Sequence, residues 1–136
     1  MVEVISLVDT NVLIRFLTND RNPKYKALYS FFDSLEKGDI KAELKLIVLF
    51  QTVFVLKSYY EVPKKSIAKA LLTILKLKGL KIKDKKIVIR TLELWNTHNI
   101  EIVDCYLIAC LENDKQHLLY SYDRDFDKHN IRRKEP

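Results

Sequence analysis

Apolar residues near the start of the chain change their spacing abruptly at residue 9. A mostly apolar run extends from Val2 to Val8 and stops at Asp9. From Thr10 to Leu17 the apolar positions recur instead at the spacing of a helix. This pattern predicts a strand followed at once by a helix, which is the opening unit of a parallel α/β fold. Ligands of such folds bind beyond the carboxyl ends of the strands, where Asp9 stands.

The same alternation of short strands and helices continues along the chain. Further strands are predicted at Leu44–Val48, Leu80–Ile82 and His117–Tyr120. Helices are predicted from Pro23 to a stop at Gly38, from Val48 through Tyr60, from Pro63 to a stop at Gly79, after a cap at Asp84, and at Glu101–Asn113. The helix that reaches Tyr60 is apolar nearly all round, so we expect it to be buried. The sequence therefore predicts one three-layer α/β/α domain over residues 1–136, with a short central parallel sheet.

Composition narrows the possible functions. The formal charge of +6 suits a polyanionic partner such as nucleic acid. Two glycines are too few for a phosphate-binding loop or a dinucleotide-binding turn. The spacing of Cys105 and Cys110 fits neither a redox motif nor a zinc site, and the run Leu46–Leu56 is too short to span a membrane. Since we find no signal peptide either, we expect a soluble, cytoplasmic protein.

Three more acidic residues lie where a strand ends or a helix begins. Asp123 comes soon after the predicted strand His117–Tyr120, and Asp125 follows it closely. Asp104 falls in the first turn of a predicted helix, on its apolar side. Taken one at a time, these are residues that helix caps and turns commonly use. If the strands before Asp9 and Asp123 are central and parallel, the carboxylates emerge at one edge of the sheet.

Carboxylates gathered at one edge repel one another unless a cation lies between them. Oxygen ligands select Mg²⁺ or Mn²⁺, and the lack of His or Cys at these positions argues against zinc. Such an ion positions phosphate oxygens and lowers the pKa of bound water for attack on a phosphodiester. A basic chain with an acidic pocket therefore favours a metal-dependent nuclease.

Four segments together resemble PIN-domain endoribonucleases of the VapC toxin type. They are LVDTNVLIRFL at 7–17, FQTVFVLKSYY at 50–60, IVDCYLIA at 102–109 and LLYSYDRDF at 118–126. They occur in the order and spacing of that family over nearly the whole chain. The resemblance implies a metal-dependent ribonuclease that cuts RNA, forms a homodimer and is bound by a cognate antitoxin that inserts a segment into the active-site groove.

The resemblance also implies roles for single residues. The positions that match the metal-binding aspartates of the family are Asp9, Asp104 and Asp123. Asp125 matches an additional acidic position, and Asn11 and Ser121 match small polar residues beside the metal. The chain departs from the family at Gln51, which occupies the position of a usual glutamate. An amide keeps the shape and one acceptor oxygen of that glutamate but lacks its charge, so it should hold a cation less well.

Gln51 also stands out in its own segment, since it is a polar residue in a helix that we expect to be buried. Its amide would then need hydrogen-bond partners, and a satisfied core amide is the alternative to a role in the site. The neutral side chain leaves a second function open, that of a catalytically impaired PIN-fold protein that binds RNA or an antitoxin. A phosphoacceptor receiver domain also uses acids on a parallel sheet, but it needs an adjacent acid pair after the first strand, which is missing here.

Basic residues near the predicted site are candidates for contacts with RNA phosphates. Arg124 and Lys128 follow the last predicted strand closely, and Arg15 lies on the first predicted helix. Arg15 suits a structural ion pair at least as well. A longer basic stretch from Lys76 to Arg90 is better explained as a solvated helix face.

Overall fold

A computed structural model describes residues 4–136 of the chain. The chain divides into two compact units, the first ending at Lys85 and the second beginning at Lys86. Both units combine helices with short parallel strands, and helices predominate. The prediction of a mixed α/β fold with a small parallel sheet is confirmed. Within the described residues, none of the helices is long and apolar enough to cross a lipid bilayer.

In the residues that the structure describes, the first unit contains four α-helices and two strands. The helices are α1 at Thr10–Leu17, α2 at Ala27–Lys37, α3 at Leu46–Ser58 and α4 at Lys64–Ile74. The strands are β1 at Ala42–Glu43 and β2 at Leu80–Lys81, and they pair in parallel. A short 3₁₀ turn at Pro23–Tyr25 precedes α2. The bounds of α1 match the prediction, and α2 ends as predicted at Gly38, which adopts the left-handed conformation (φ 79°).

The first predicted strand is reduced to a single bridge in the described residues. Leu7 pairs in parallel with Glu43, and the Glu43 N–H donates to the Ser6 carbonyl at 2.7 Å. Residues 2 and 3 of the predicted strand lie outside the described residues. Val4 and Ile5 are exposed although they are apolar. The chain nevertheless passes from this bridge directly into α1, so Asp9 lies at the predicted strand-to-helix junction.

The prediction that α3 is buried on every side is wrong. Leu49, Val53 and Leu56 are buried, but Ile47 is 77% exposed and Phe54 is 69% exposed. A helix that is apolar all round gives no periodic signal for which face packs, so the sequence could not orient it. The preceding strand was also misplaced, because β1 ends before the predicted Leu44–Val48 segment and the helix begins at Leu46.

The prediction that Gly79 ends α4 is wrong, because that helix ends at Ile74. Gly79 instead lies where two backbone segments approach each other closely. The Gly79 N–H donates to the Leu35 carbonyl at 2.7 Å, and its carbonyl accepts from the Ala42 N–H at 2.9 Å. A Cβ atom at this position would lie 2.0 Å from the Ile40 carbonyl oxygen. Only glycine fits there, so Gly79 fixes the position of β2 beside β1.

The second unit contains two α-helices, of 13 and 12 residues, followed by a C-terminal region of short strands. The helix α5 at Lys85–Thr97 begins directly after Asp84, as predicted, and α6 occupies Ile102–Asn113. The strand β3 at Leu119–Tyr120 pairs in parallel with β4 at Arg133–Lys134. Between them lies a 3₁₀ helix at Arg124–Lys128. The sequence did not predict β4, since consecutive basic residues carry no strand signal.

Arg133 closes the segment between β3 and β4. Its guanidinium donates to both carboxylate oxygens of Asp127, at 2.8 and 3.0 Å, and to the Ser121 carbonyl at 2.9 Å. The Arg133 side chain is only 12% exposed. A paired, two-point contact of this kind is stronger and more directional than an exposed ion pair. It holds the segment from Ser121 to Asp127, which carries Asp123 and Asp125.

Neither cysteine forms a disulfide in the described residues. The sequence predicts two buried thiols, which is correct for Cys105 and wrong for Cys110, which is partly exposed.

Candidate functional site

Asp9 stands at the N-terminus of α1 without serving as its side-chain cap. Its backbone is extended (φ −85°, ψ 154°), and its carbonyl oxygen accepts from the Val12 N–H at 3.1 Å. The exposed Asp9 side chain makes no capping hydrogen bond to the helix. Helix capping, the usual structural role of an aspartate at this position, therefore does not account for the Asp9 side chain.

Gln51 is exposed, so the prediction that it is a buried amide is wrong. It lies on the side of α3 that faces the start of α1, and its Oε1 accepts a hydrogen bond from the Thr10 hydroxyl at 2.9 Å. Next to it in sequence, Thr52 is the polar residue that is buried, and its hydroxyl donates to the Val48 carbonyl at 2.8 Å. Gln51 is thus a surface residue tied to the residue that follows Asp9.

Arg15 holds the second amide of this region. Its Nε donates to Asn11 Oδ1 at 3.1 Å, while its NH1 donates to Asp20 Oδ2 at 2.9 Å. The guanidinium also lies 4.9 Å from the centre of the Tyr25 ring. The hydrogen bond to Asp20 raises the pKa of Arg15. A contact between Arg15 and substrate stays a prediction, and in the structure the residue orients Asn11.

These side chains line one open pocket of the first unit. Three of the predicted site residues lie in it, namely Asp9, Asn11 and Gln51. Its far wall is formed by Tyr59 and Tyr60, at the C-terminal end of α3. The pocket has a volume of about 520 Å³, within the range of small-molecule binding sites.

The three acidic residues predicted later in the chain line a pocket of the second unit. Asp104 comes from the first turn of α6, and Asp123 and Asp125 come from the start of the 3₁₀ helix. The pocket has a volume of about 200 Å³, and Glu101 adds a fourth carboxylate to its lining. Phe126, which is buried, forms part of its apolar wall. The prediction that Asp104, Asp123 and Asp125 act at one place is consistent with this shared lining.

The Asp104 carboxyl lies in an environment that disfavours its charged form. Partial burial raises its pKa above the ordinary value, and the nearby charges of Asp123 and Glu101 raise it further. Because like charges at short range raise the free energy of the ionised cluster, a bound cation or a proton lowers it. The surroundings of Asp104 therefore differ from those of a solvated carboxylate in a way that favours a bound cation or proton.

Asp123 combines a turn-forming role with its position in the pocket. Its Oδ1 accepts from the Asp125 N–H at 2.9 Å, so it caps the 3₁₀ helix. Its own N–H donates to Ser121 Oγ at 3.0 Å. Ser121 thus orients the backbone of Asp123, as suits a small polar residue beside an acidic site. The cap uses one carboxylate oxygen and leaves the other for a second contact.

The predicted basic residues of this region are exposed. Lys128 Nζ lies 3.5 Å from Asp125 Oδ1, in a pair in which both side chains are more than 70% exposed. Arg124 is also exposed, and its charge contributes after Arg133 to lowering the pKa of Asp127. Both residues remain candidates for phosphate contacts.

A divalent cation suits the chemistry of the acidic pocket, although the structure shows no three-residue cluster for it. Within residues 4–136, no group of three or more His, Cys, Asp or Glu side chains is placed to hold one metal ion. Mg²⁺ commonly keeps several waters and binds through one or two carboxylates. The oxygen ligands of Asp104 and Asp123, with the raised pKa of Asp104, fit such an ion.

Several residues that line the two pockets were not predicted from the sequence. In the first pocket the Thr10 hydroxyl donates a hydrogen bond to Gln51, and in the second Glu101 adds a carboxylate that raises the pKa of Asp104. Tyr59 and Tyr60 were also missed, although an aromatic pair directly after a helix that carries a site residue is a signal that could have found them.

A comparison with known families connects these pockets to one fold. The model of the PIN domain matches residues 6–131, which include both pockets and nearly the whole chain. A comparison with curated proteins finds no significant match. PIN domains are generally metal-dependent nucleases, which agrees with an acidic pocket on a basic chain. The chain belongs to the PIN domain family.

Proposed function

We propose that this protein is a metal-dependent endoribonuclease that hydrolyses RNA phosphodiesters. The observation that carries the proposal is the pocket that Asp104, Asp123, Asp125 and Glu101 line together. Partial burial, Asp123 and Glu101 also raise the pKa of Asp104 there. A pocket that gathers like charges in this way is stabilised by a divalent cation. The basic character of the whole chain, with a formal charge of +6, suits a polyanionic substrate.

The proposal gives each group of residues a role. Asp104 and Asp123 would hold Mg²⁺ or Mn²⁺, with Asp125 as an additional acid. Asp9, which lines the pocket of the first unit, is proposed as a metal ligand on the family resemblance alone. A bound ion of this kind supplies an activated water and neutralises charge that develops on the phosphate. Ser121 holds the backbone of Asp123, and Arg15 holds the amide of Asn11, so both act as positioning residues. Arg124 and Lys128 would contact phosphates of the RNA.

The biological setting is also part of the proposal. The resemblance to VapC-type toxins supports a toxin in a toxin–antitoxin pair, acting in the cytoplasm on cellular RNA. A homodimer is supported by large apolar side chains on the exposed face of α3, where Ile47 and Phe54 stand one above the other. We further propose that residues 1–136 form a single PIN domain.

Cleavage of RNA by matched variants tests the proposed activity. Protein freed of contaminating nuclease is incubated with RNA and Mn²⁺, and cleavage is followed for the wild type, Asp9→Asn and Asp104→Asn. We expect each substitution to lower the rate by at least about 100-fold, since losing a ligand exceeds the effect of losing a residue that only supports one. Asp39→Asn and Glu93→Gln, which change exposed acids outside both pockets, serve as controls. Equal cleavage by all five proteins would disprove the proposal.

A second candidate function rests on Gln51. Its neutral amide faces Thr10 where the family usually has a glutamate, so the protein would act by binding RNA or its antitoxin with little cleavage. Gln51→Glu keeps an acceptor for the Thr10 hydroxyl and adds a charge to the pocket of Asp9. Calorimetric titration with Mn²⁺ and the cleavage assay distinguish the two functions. Under the second function, Gln51→Glu should raise both the affinity for Mn²⁺ and the rate of RNA cleavage by about tenfold or more. If neither changes, Gln51 is not what limits the activity.

A further inference from the structure

The pocket of Asp9 has an aromatic wall that the proposed chemistry does not use. Tyr59 and Tyr60 form this wall, with ring centres 4.9 Å apart and ring planes 72° apart. An edge-to-face pair leaves both faces of one ring uncovered by the other. Tyr59 is 78% exposed, far more than is usual for a side chain with this much apolar surface. The Tyr59 ring therefore offers an apolar face that is open to a ligand.

The polypeptide holds both tyrosines firmly at the end of α3. The N–H groups of Tyr59 and Tyr60 both donate to the Val55 carbonyl, at 2.9 and 3.3 Å. Glu61 then takes the left-handed conformation (φ 54°), and the Val62 N–H returns to the Leu56 carbonyl at 2.9 Å. A side chain with two rotatable bonds on a fixed backbone loses little conformational entropy when it contacts a ligand. The backbone that carries the two rings is therefore preorganised before a ligand binds.

The opposite side of the pocket offers hydrogen-bond donors. Asn11 Oδ1 accepts from Arg15 and Gln51 Oε1 accepts from Thr10, which leaves the NH₂ group of each amide free to donate elsewhere. Nucleobases carry carbonyl and ring-nitrogen acceptors at their edges, and their faces stack on aromatic side chains. The described lining of this pocket contains no Lys or Arg, and apart from Asp9 its polar groups are neutral amides and hydroxyls. The pocket suits the uncharged part of a nucleotide.

We infer that this pocket is a base-binding subsite, in which an unpaired base of RNA stacks on Tyr59 and is held by the amides of Asn11 and Gln51. The inference deepens the proposed function and rests on it for the class of substrate. It specifies single-stranded RNA, because a base within a duplex cannot expose its face to a side chain. Stacking does not depend on which base is present, so the subsite selects strandedness more than sequence.

Binding of a short labelled oligoribonucleotide in EDTA tests the inference without cleavage. A fluorescein-labelled single-stranded hexamer is titrated with full-length wild type, Tyr59→Ala, Tyr59→Phe and Tyr120→Ala, and anisotropy gives the affinity. We expect Tyr59→Ala to bind about tenfold more weakly and Tyr59→Phe to stay within about twofold of the wild type. Tyr120, which is 64% exposed on β3 in the other unit, is the matched control and should have no effect.

An abasic hexamer shows whether the tyrosine contacts a base. Replacing successive nucleotides by abasic residues should weaken binding to the wild type at one position and leave Tyr59→Ala unaffected there. The dependence of affinity on salt should be the same for both proteins, since stacking releases no counterions. Equal abasic effects on the two proteins would overturn the inference and leave the aromatic wall as a surface for protein contact.

The outcomes also separate the inference from the proposed activity. A wild type that binds the hexamer through Tyr59 but does not cleave RNA with Mn²⁺ contradicts only the activity. A wild type that cleaves RNA, with Tyr59→Ala binding the hexamer as tightly as the wild type, contradicts only the subsite. Thermal unfolding of each variant checks that the fold is retained, which we expect because the Tyr59 side chain is mostly exposed.

Discussion

Asp104 is the residue whose surroundings best separate a functional role from a structural one. Partial burial and two neighbouring acids raise its pKa, so its charged form lowers the stability of the folded protein. A residue selected only for stability would not be expected to keep such a charge. A carboxyl whose surroundings disfavour its charged form is typical of a ligand-binding or catalytic site.

The first prediction concerns the stability of Asp104→Asn. The folded protein holds a proton on Asp104 at pH values where the unfolded chain has lost it, so stability falls as the pH rises above about 4. The variant never carries this charge. In EDTA at pH 7 it should unfold at a higher temperature than the wild type, and this advantage should disappear as the pH falls through about 4.

Thermal unfolding followed by circular dichroism between acidic and neutral pH measures this difference. Glu93→Gln, a change of an exposed acid on α5, is the control and should show no such dependence. An Asp104→Asn protein that is less stable than the wild type at pH 7 would contradict the argument, since it would mean that the folded state favours the charged carboxylate.

The sequence predicted several candidate site residues but not their surroundings. Asp104 and Asp123 could be selected because each follows a recognisable change of hydrophobic pattern. The exposure of Gln51 could not be predicted, because it depends on which side of an apolar helix packs. Tyr59 was missed although it forms an aromatic pair with Tyr60 directly after the helix of Gln51, and the structure adds that it lines the same pocket as Gln51.

Among the secondary-structure elements, helices followed the sequence closely and strands did not. Helix α1 was predicted at its exact bounds because a strand signal, an aspartate and a helical period follow one another. Strands β1 and β4 have only two residues each, too few for alternation to appear. Their positions depend instead on tertiary contacts, such as the approach of Gly79 to Ile40.

The second prediction tests this approach with Gly79→Ala. The added methyl group would lie 2.0 Å from a backbone carbonyl oxygen, so two chain segments must separate. We expect a loss of about 2–3 kcal/mol in the free energy of unfolding, measured with urea. Gly38→Ala is the control, because its φ of 79° is unfavourable but its nearest contact is the flexible Lys78 side chain. It should lose only about 1 kcal/mol, and equal losses would contradict the steric explanation.

The third prediction concerns the ion pair that joins Asp127 to Arg133. The hydrogen bond from Arg133 lowers the pKa of Asp127, with further help from the charges of Arg133 and Arg124. This stabilisation is present above the pKa of about 3.9 of an unfolded aspartate and is lost as the pH falls through the lower folded value. Asp127→Asn should therefore be less stable than the wild type at neutral pH, and this difference should shrink as the pH falls below about 4 and through the lower folded value.

Unfolding temperatures at neutral and acidic pH measure this effect. Asp125→Asn is a suitable control, since the pair of Asp125 with Lys128 is long and exposed and should contribute little. If the difference between Asp127→Asn and the wild type persists at the most acidic pH, lost packing rather than lost charge is responsible.

The whole molecule combines a basic chain with apolar side chains that its own fold leaves in contact with solvent. The formal charge of +6 favours association with nucleic acid, and it does not account for the exposed apolar residues of α3. Ile47 and Phe54 are both more than two-thirds exposed, and their spacing of seven residues places them on one face. Such a face is typical of a surface that another protein covers.

The fourth prediction is that Phe54→Glu weakens self-association. A charge on the apolar face of α3 would have to be desolvated in the proposed homodimer, so we expect its dissociation constant to rise by at least about tenfold. Sedimentation analysis over a range of protein concentrations measures it. Lys57→Glu changes an exposed charge on the same helix and should have a smaller effect. A wild type that sediments as a monomer at every concentration would contradict a homodimer.

The contact of Arg133 with Asp127 and Ser121 makes the intervening segment a closed loop. A loop whose ends are joined has already lost most of its conformational entropy during folding. Any ligand of Asp123 therefore meets a segment that does not need to be ordered on binding. Opening the loop at Arg133, which does not line the pocket of Asp123, should leave the enthalpy of ligand binding nearly unchanged and make its entropy less favourable.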